Sequence, residues 1–327
     1  MNRRTIRAGV ALVATGALLT LAACGGSDDD GSAGSGGETH TVTGTMRGDV
    51  KDVPVKPKRV VALWRTGAEL VDLGVKPVAA LEGEFLNTEL AAAKFAKVKK
   101  VPTVGNFEGV DVEKVIDAKP DLIVGMDNGG LSIDYKELSK VAPTVIFKIA
   151  EPPDVWKNYP KLAKVVGRST DYQDRNADLE KSLRAVAKRH GNTIGKAQAV
   201  SVSTSSGPTY VDTSKSLTWQ RIDAAGFGYL ERYATKPKRY AEELSSENIP
   251  KLSGADAIFY NVDIQGKPAP GTDKLLKSAS FKRLPAVKAG NLFPLTSGTI
   301  YTFQGAHKQV DDLRAAAKKY QPVKRDS

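Results

Sequence analysis

Val60-Val61-Ala62-Leu63-Trp64-Arg65-Thr66-Gly67-Ala68-Glu69-Leu70-Val71-Asp72-Leu73-Gly74-Val75-Lys76-Pro77-Val78-Ala79-Ala80-Leu81 decides the fold. Val60 to Leu63 is an uninterrupted apolar run, which predicts a strand covered on both faces. Ala68 to Leu73 has helical spacing and stops at Gly74. Val78 to Leu81 is a second apolar strand. A strand, a helix and a strand of this kind form the repeating unit of a parallel sheet wrapped by helices.

The same rhythm continues downstream. A helix is expected from about Asn87 to Ala96, a short helix from Val110 to Ala118, and a strand at Leu122-Ile123-Val124 after Pro120-Asp121. Tyr135 to Val141 reads as a helix and Thr144 to Phe147 as a strand. Upstream, Thr41 to Val55 alternates polar and apolar residues around Gly44 and Gly48, the pattern of a hairpin. Between Asp154 and His190 strand signals vanish: Val155, Tyr159, Leu162, Ala163 and Val166, then Leu179, Leu183, Val186 and Ala187, keep helical spacing with charge on the other faces. This predicts a long helical connector. Strands then resume at Ala197–Ser203, Thr209–Val211, Ala257–Tyr260 and Leu292–Leu295, and a last helix runs from about Ala306 to Tyr320.

The N-terminus is organised differently. Arg3, Arg4 and Arg7 precede an uncharged run from Ala8 to Ala23 that is short for a membrane span, and small residues lead to Cys24. Leu21-Ala22-Ala23-Cys24 resembles a bacterial lipobox, which implies lipidation at Cys24, a signal peptide over 1–23 and a mature chain that begins at the modified cysteine. Cys24 is the single cysteine. Gly25 to Glu38 has almost nothing to bury and reads as a flexible tether, placed at 24–39. Arg3-Arg4-Thr5-Ile6 resembles a twin-arginine signal, although Sec export is preferred here.

The formal charge is +11, and removing Arg3, Arg4 and Arg7 takes it to +8. The basic runs 56–59, 97–100 and 236–239 lack interleaved aromatics and read as solvated surface, so nucleic acid is not expected as a partner. His40, His190 and His307 are scattered, and no His/Cys/carboxylate cluster has metal-site spacing. Gly-x-Ser-x-Gly, His-Glu-x-x-His and P-loop patterns are absent, which argues against a secreted lipoprotein enzyme. Roughly 290 residues beyond the tether suffice for two domains.

An internal echo links the two halves. Asp111-Val112-Glu113 opens a short helix before Asp121 and a strand; Ser245-Ser246-Glu247 does the same before Asp256. The Glu-to-Asp spacings are 8 and 9. Helix capping by Asp111 and Ser245, with a glutamate in the first turn, explains each half by itself but not their sharing it.

Val53-Pro54-Val55-Lys56-Pro57-Lys58-Arg59-Val60-Val61-Ala62-Leu63, Glu69-Leu70-Val71-Asp72-Leu73-Gly74-Val75-Lys76-Pro77-Val78, Val104-Gly105, Ala118-Lys119-Pro120-Asp121-Leu122-Ile123, Val141-Ala142-Pro143-Thr144 and Phe281-Lys282-Arg283-Leu284-Pro285-Ala286-Val287-Lys288-Ala289-Gly290, taken in order, resemble the substrate-binding lipoproteins of ABC importers, the ferric-siderophore binders above all. The resemblance implies an α/β fold of two Rossmann-like lobes with mostly parallel sheets, joined by a long connecting helix, with a ligand cleft between them. The lobes fall at 40–153 and 193–327, with the connecting segment at 154–192. It implies a monomeric, non-enzymatic carrier on the extracytoplasmic face of the cytoplasmic membrane, with no cofactor and no iron ligand of its own, because the siderophore already wraps the metal. Glu113 and Glu247 match the positions that dock on permease arginines. A hydroxamate siderophore is the preferred cargo, with haem or cobalamin as alternatives.

Ligands of open α/β sheets bind beyond the carboxyl ends of strands. Those ends nominate Trp64, Arg65, Phe85 and Asn128 in the first half and Tyr210, Tyr260, Asn261 and Tyr301 in the second, beside Thr66, Glu84, Asp127, Ser205 and Ser206. Trp64 and Arg65 are the best-motivated pair, an aromatic wall and a planar donor for carboxylate or hydroxamate oxygens. The tyrosines are equally readable as packed at domain edges. Trp219 and Arg221 are expected on the helix before Gly226, in core packing and solvation, and Trp156 as an anchor of the connecting helix.

Overall fold

The computed structural model describes residues 37–204, 207–297 and 301–324. Cys24, the signal segment, most of the tether and Ser205-Ser206 lie outside the described residues. Among those described, no helix is long and apolar enough to cross a membrane.

The first half opens with the expected hairpin, β1 (Thr39–Thr45) and β2 (Gly48–Pro54), paired antiparallel. Then follow β3 (Val60–Ala62), α1 (Gly67–Asp72), β4 (Ala79–Ala80), α2 (Ala92–Val98), the two-residue strands β5 (Gly105–Asn106) and β6 (Gly109–Val110), α3 (Val112–Asp117), β7 (Leu122–Asp127), α4 (Tyr135–Val141) and β8 (Thr144–Lys148). The sheet order is β4-β3-β7-β8, parallel throughout. Every residue of β3 and β7 is buried, so the apolar runs are those of strands covered on both faces. Met46 donates to the carbonyl of Ile146 (2.7 Å), which holds the hairpin on β8.

The connector is two helices, α5 (Asp154–Val165) and α6 (Ser169–Ile194), not one. Gly167 breaks it: its φ is +67°, and a Cβ there would lie 2.8 Å from the Val55 carbonyl oxygen. Only glycine fits both conditions.

The second half contains β9 (Ala199–Thr204), β10 (Thr209–Asp212), α7 (Leu217–Ala224), α8 (Glu231–Ala234), β11 (Ala241–Leu244), a 3-10 helix (Ser246–Leu252), β12 (Ala257–Val262), α9 (Thr272–Lys277), α10 (Ala279–Lys282), α11 (Pro285–Lys288), β13 (Leu292–Thr296) and α12 (Phe303–Lys319). Its sheet runs β11-β10-β9-β12-β13; β9, β12 and β13 are parallel, and β10 is antiparallel to both neighbours.

Three local expectations change. The helix expected from Asn87 begins only at Ala92, which no side chain caps. The helix expected from Val110 begins at Val112, because Gly109-Val110 pair with Gly105-Asn106. Arg221 is 3% exposed, not solvated: it lies over the Trp156 ring (4.7 Å) and donates to Gln309 Oε1 (3.2 Å).

Trp156, Tyr159, Tyr172 and Phe303 stack at centroid distances of 5.2–5.5 Å, locking α5 and α6 to the start of α12.

Candidate functional site

Trp64 and Arg65 leave the end of β3. The Trp64 carbonyl still accepts from Met126 N (2.9 Å), so the indole starts from a fixed position beside β7. Arg65 then turns into the left-handed region, φ +59°, which costs a non-glycine residue about 1 kcal/mol or more. Glu84 holds that turn: its carboxylate accepts the N–H groups of Arg65 (2.9 Å), Thr66 (3.0 Å) and Gly67 (2.7 Å). Gly67 permits the approach, since a Cβ there would stand 2.7 Å from Glu84 Cβ.

Asn128 stands on the loop after β7. Buried Asp127 accepts from Gly129 N (2.7 Å), Leu131 N (3.4 Å) and the Tyr135 hydroxyl (2.6 Å), which sets the loop's shape. Tyr301 comes from the segment before α12. The Arg65 guanidinium lies 5.9 Å from both the Trp64 and the Tyr301 ring centroids. Burial pushes the Tyr301 phenol up to about 12, Arg65 pulls against that shift, and Tyr240, Asp212 and Arg221 act on it from the second half. One arginine of the first half and one tyrosine of the second thus share a cavity of about 110 Å³, also lined by Trp64, Asn128 and the loop after β8.

A second cavity, of about 200 Å³, shares Trp64 and Arg65 and is acidic, with Glu69, Glu82, Glu84 and Glu89 on its wall. Phe107 closes one side, 47% exposed and packed edge-on to Trp64 at 5.5 Å.

Four of the eight nominated residues therefore meet: Trp64, Arg65, Asn128 and Tyr301. Phe85 packs toward Ala68, Leu90 and Val98 and walls neither cavity. Tyr210 is half-buried on β10, on the same sheet face as Asp212. Tyr260 is half-buried on β12, where burial raises its phenol. The Asn261 amide is engaged locally, accepting from Thr204 N (3.3 Å) and Thr272 Oγ1 (3.4 Å). The sequence reading missed Phe107 and the loop Ile149–Pro152, and it placed Arg221 in solvent where the fold buries it. A search of every strand end would have found the Ile149–Pro152 loop after β8.

Glu113 is exposed in the first turn of α3, which Asp111 caps by accepting from Lys114 N (3.3 Å). Glu247 is exposed in the first turn of the 3-10 helix. That element is not the expected α-helix, and the Ser245 hydroxyl accepts from the Asn248 amide instead of a backbone N–H.

The buried carboxyl under Arg65 leads to an expected pH dependence of stability. Burial pushes the Glu84 carboxyl up from 4.5 to about 7, outweighing the three N–H donors that favour the anion. Asp212 moves the same way, from 3.8 to about 6. The folded protein holds these protons more tightly than the unfolded chain does. Their stabilisation is complete below the unfolded values and is lost as pH rises through the folded ones. Thermal unfolding should show a Tm that falls between about pH 5 and 7.5, the Glu84 share being up to about 3 kcal/mol. Glu84→Gln should flatten that fall; an unchanged pH profile in the variant would contradict the assignment.

Residues 60–299 match the periplasmic binding protein family. The chain is 28% identical over 315 residues to the "Probable siderophore-binding lipoprotein YfiY" of Bacillus subtilis (strain 168), covering 91% of this chain and 92% of that one. It is 29% identical over 302 residues to the iron(3+)-hydroxamate-binding protein FhuD of the same organism, covering 88% and 89%. Among solved structures, the siderophore periplasmic binding protein from the fuscachelin gene cluster of Thermobifida fusca superposes with a TM-score of 0.71 at 25% identity, covering 81% of this chain and 98% of that one. A cleft at the carboxyl ends of parallel strands, in a chain whose match runs from β3 to beyond β13, leaves one conclusion: this protein belongs to the periplasmic binding protein family.

Proposed function

We propose that the chain captures a ferric siderophore, of the hydroxamate type, and presents it to an ABC permease. One observation carries the reading: Trp64, Arg65 and Tyr301, from opposite halves of the chain, meet around one cavity. Iron arrives as cargo already wrapped in oxygen ligands, so the protein needs aromatic walls and a planar donor, which these residues supply. Relatives named for siderophore and iron-hydroxamate binding support the same cargo class.

The remaining parts of the proposal follow from it. The protein acts as a monomeric carrier and not as a catalyst. Two lobes, 40–153 and 193–327, close on the ligand about the 154–192 segment. Cys24 carries the lipid that keeps the carrier on the extracytoplasmic face of the membrane, and Glu113 and Glu247 dock it.

The test is a titration of the purified protein with ferric hydroxamate, catecholate and citrate complexes, haem and cobalamin, followed by tryptophan fluorescence. Ferric hydroxamates should quench with the lowest Kd. Trp64→Leu should remove most of the quench and weaken binding about tenfold to a hundredfold, the scale of a central aromatic contact. Quenching by haem or cobalamin alone, or by none of the iron complexes, would overturn the reading.

A further inference from the structure

The second cavity carries four acidic side chains, Glu69, Glu82, Glu84 and Glu89, against the single guanidinium of Arg65. Glu69 lies on α1, is 3% exposed and faces this space. Its own backbone N–H acts on its carboxylate, and no other described residue donates a hydrogen bond or an ion pair to it, whereas Glu84 is committed to the Arg65–Gly67 backbone. Burial, and next to it the charge of Glu84, push the Glu69 carboxyl well above its ordinary value; Glu89 acts in the same sense and Arg65 against it. Four carboxylates thus face one guanidinium, and Arg65 is shared with the neighbouring cavity.

Burial favours the protonated form of this carboxyl, and a cation brought beside it favours the anion. Among the described residues no group of three or more His, Cys, Asp or Glu side chains is arranged to hold a metal ion. An alkylammonium fits the wall better. Trp64, Leu86 and Phe107 offer apolar surface for methylenes, and Glu69 and Glu89 offer acceptors for N–H donors.

We infer that this cavity is a subsite for a cationic arm of the ligand, a primary ammonium on an aliphatic tether. The inference rests on the siderophore reading above: the chelated iron lies against Trp64, Arg65 and Tyr301, and the arm passes beyond Trp64 into the acidic space.

Two ferric trihydroxamate complexes test it, ferrioxamine B with its free terminal amine and the same complex N-acetylated. The unmodified protein should bind the free amine at least about tenfold more tightly, a difference of about 1.4 kcal/mol. Glu69→Gln should bring the two affinities within about twofold, mainly by weakening the free amine. Retained binding of the acetylated complex shows that the variant is folded. Glu89→Gln, at a half-buried position, should narrow the ratio in the same direction. Equal affinity of the unmodified protein for both complexes would overturn the subsite and leave siderophore capture standing. A preference that survives both substitutions would also overturn it. Failure to bind either complex would overturn the hydroxamate reading, and the subsite with it.

Discussion

On the docking proposal, cells that rely on this protein for uptake should take up less than about a tenth of the normal ligand when Glu113 and Glu247 are both replaced by arginine, while the purified variant keeps its ligand affinity within about twofold. Both side chains are exposed, and neither forms an ion pair or side-chain hydrogen bond with a described residue. Their substitution therefore removes no internal contact. Asp111 supplies the cap of α3, which frees Glu113 from that duty. Reversing a charge that meets arginine on a partner replaces attraction by repulsion, and truncating one member of a buried interfacial charge pair already costs about 2–5 kcal/mol. Two such contacts acting together exceed a tenfold loss. Single reversals should fall between the double variant and the unmodified protein. Equal loss of uptake and affinity would assign the glutamates to the ligand site or to the fold; full uptake by the double variant would remove them from docking.

The paired pattern of Glu113 and Glu247 is readable because it is local: a polar residue at the helix start, a glutamate two positions on, and a strand soon after, twice in one chain. The core of the first sheet was legible for a related reason. Strands buried on both faces carry unbroken apolar runs, so Val60–Leu63 and Leu122–Val124 announce themselves, the second extending to Asp127 in the fold. The edge strand Ala241–Leu244 did not, because its Glu242 and Glu243 lack the apolar run of a central strand. Trp64, Arg65, Asn128 and Tyr301, which meet at one cavity, were nominated by one rule, that ligands of open α/β sheets sit at strand ends. Phe107 escaped because it sits on the turn between two-residue strands with no periodicity to read. Arg221 escaped for a different reason. On α7 it looks like an ordinary surface cation, and its contacts with Trp156 and Gln309, far off in sequence, become visible only in the fold. Burial pulls its guanidinium below the ordinary range, yet an arginine stays charged at neutral pH. Properties that depend on remote partners are the ones a local pattern cannot carry.

Asp72 is the strongest case of that kind, and replacing it should cost the protein more stability than any surface change. Its carboxylate accepts from Lys94 Nζ (2.6 Å), the Tyr159 hydroxyl (3.1 Å) and Phe303 N (2.6 Å), so a single buried side chain ties α1 to α2, α5 and the first residue of α12. Asp72→Ala leaves the buried Phe303 N–H without its acceptor and Lys94 without its counter-ion. Lys94 is 31% exposed and can turn to water, which offsets part of the loss. Removing one partner of a buried pair costs about 3–5 kcal/mol, so roughly 3 kcal/mol is expected here. In a chain of this size that lowers Tm by roughly 5 °C. Asp72→Asn keeps one acceptor oxygen and should lose much less. The consequence reaches the cleft. Phe303 begins α12 and stacks with Trp156, Tyr159 and Tyr172, and Tyr301 precedes it by two residues. Loosening this helix start frees the Tyr301 ring from its position beside Arg65, so Asp72→Ala should also weaken ligand binding although Asp72 walls neither of the two cavities. The paired measurement is thermal unfolding and ligand titration of both variants. A Tm for Asp72→Ala within about 2 °C of the unmodified protein would show that α12 is held by its aromatic stack and not by this carboxylate.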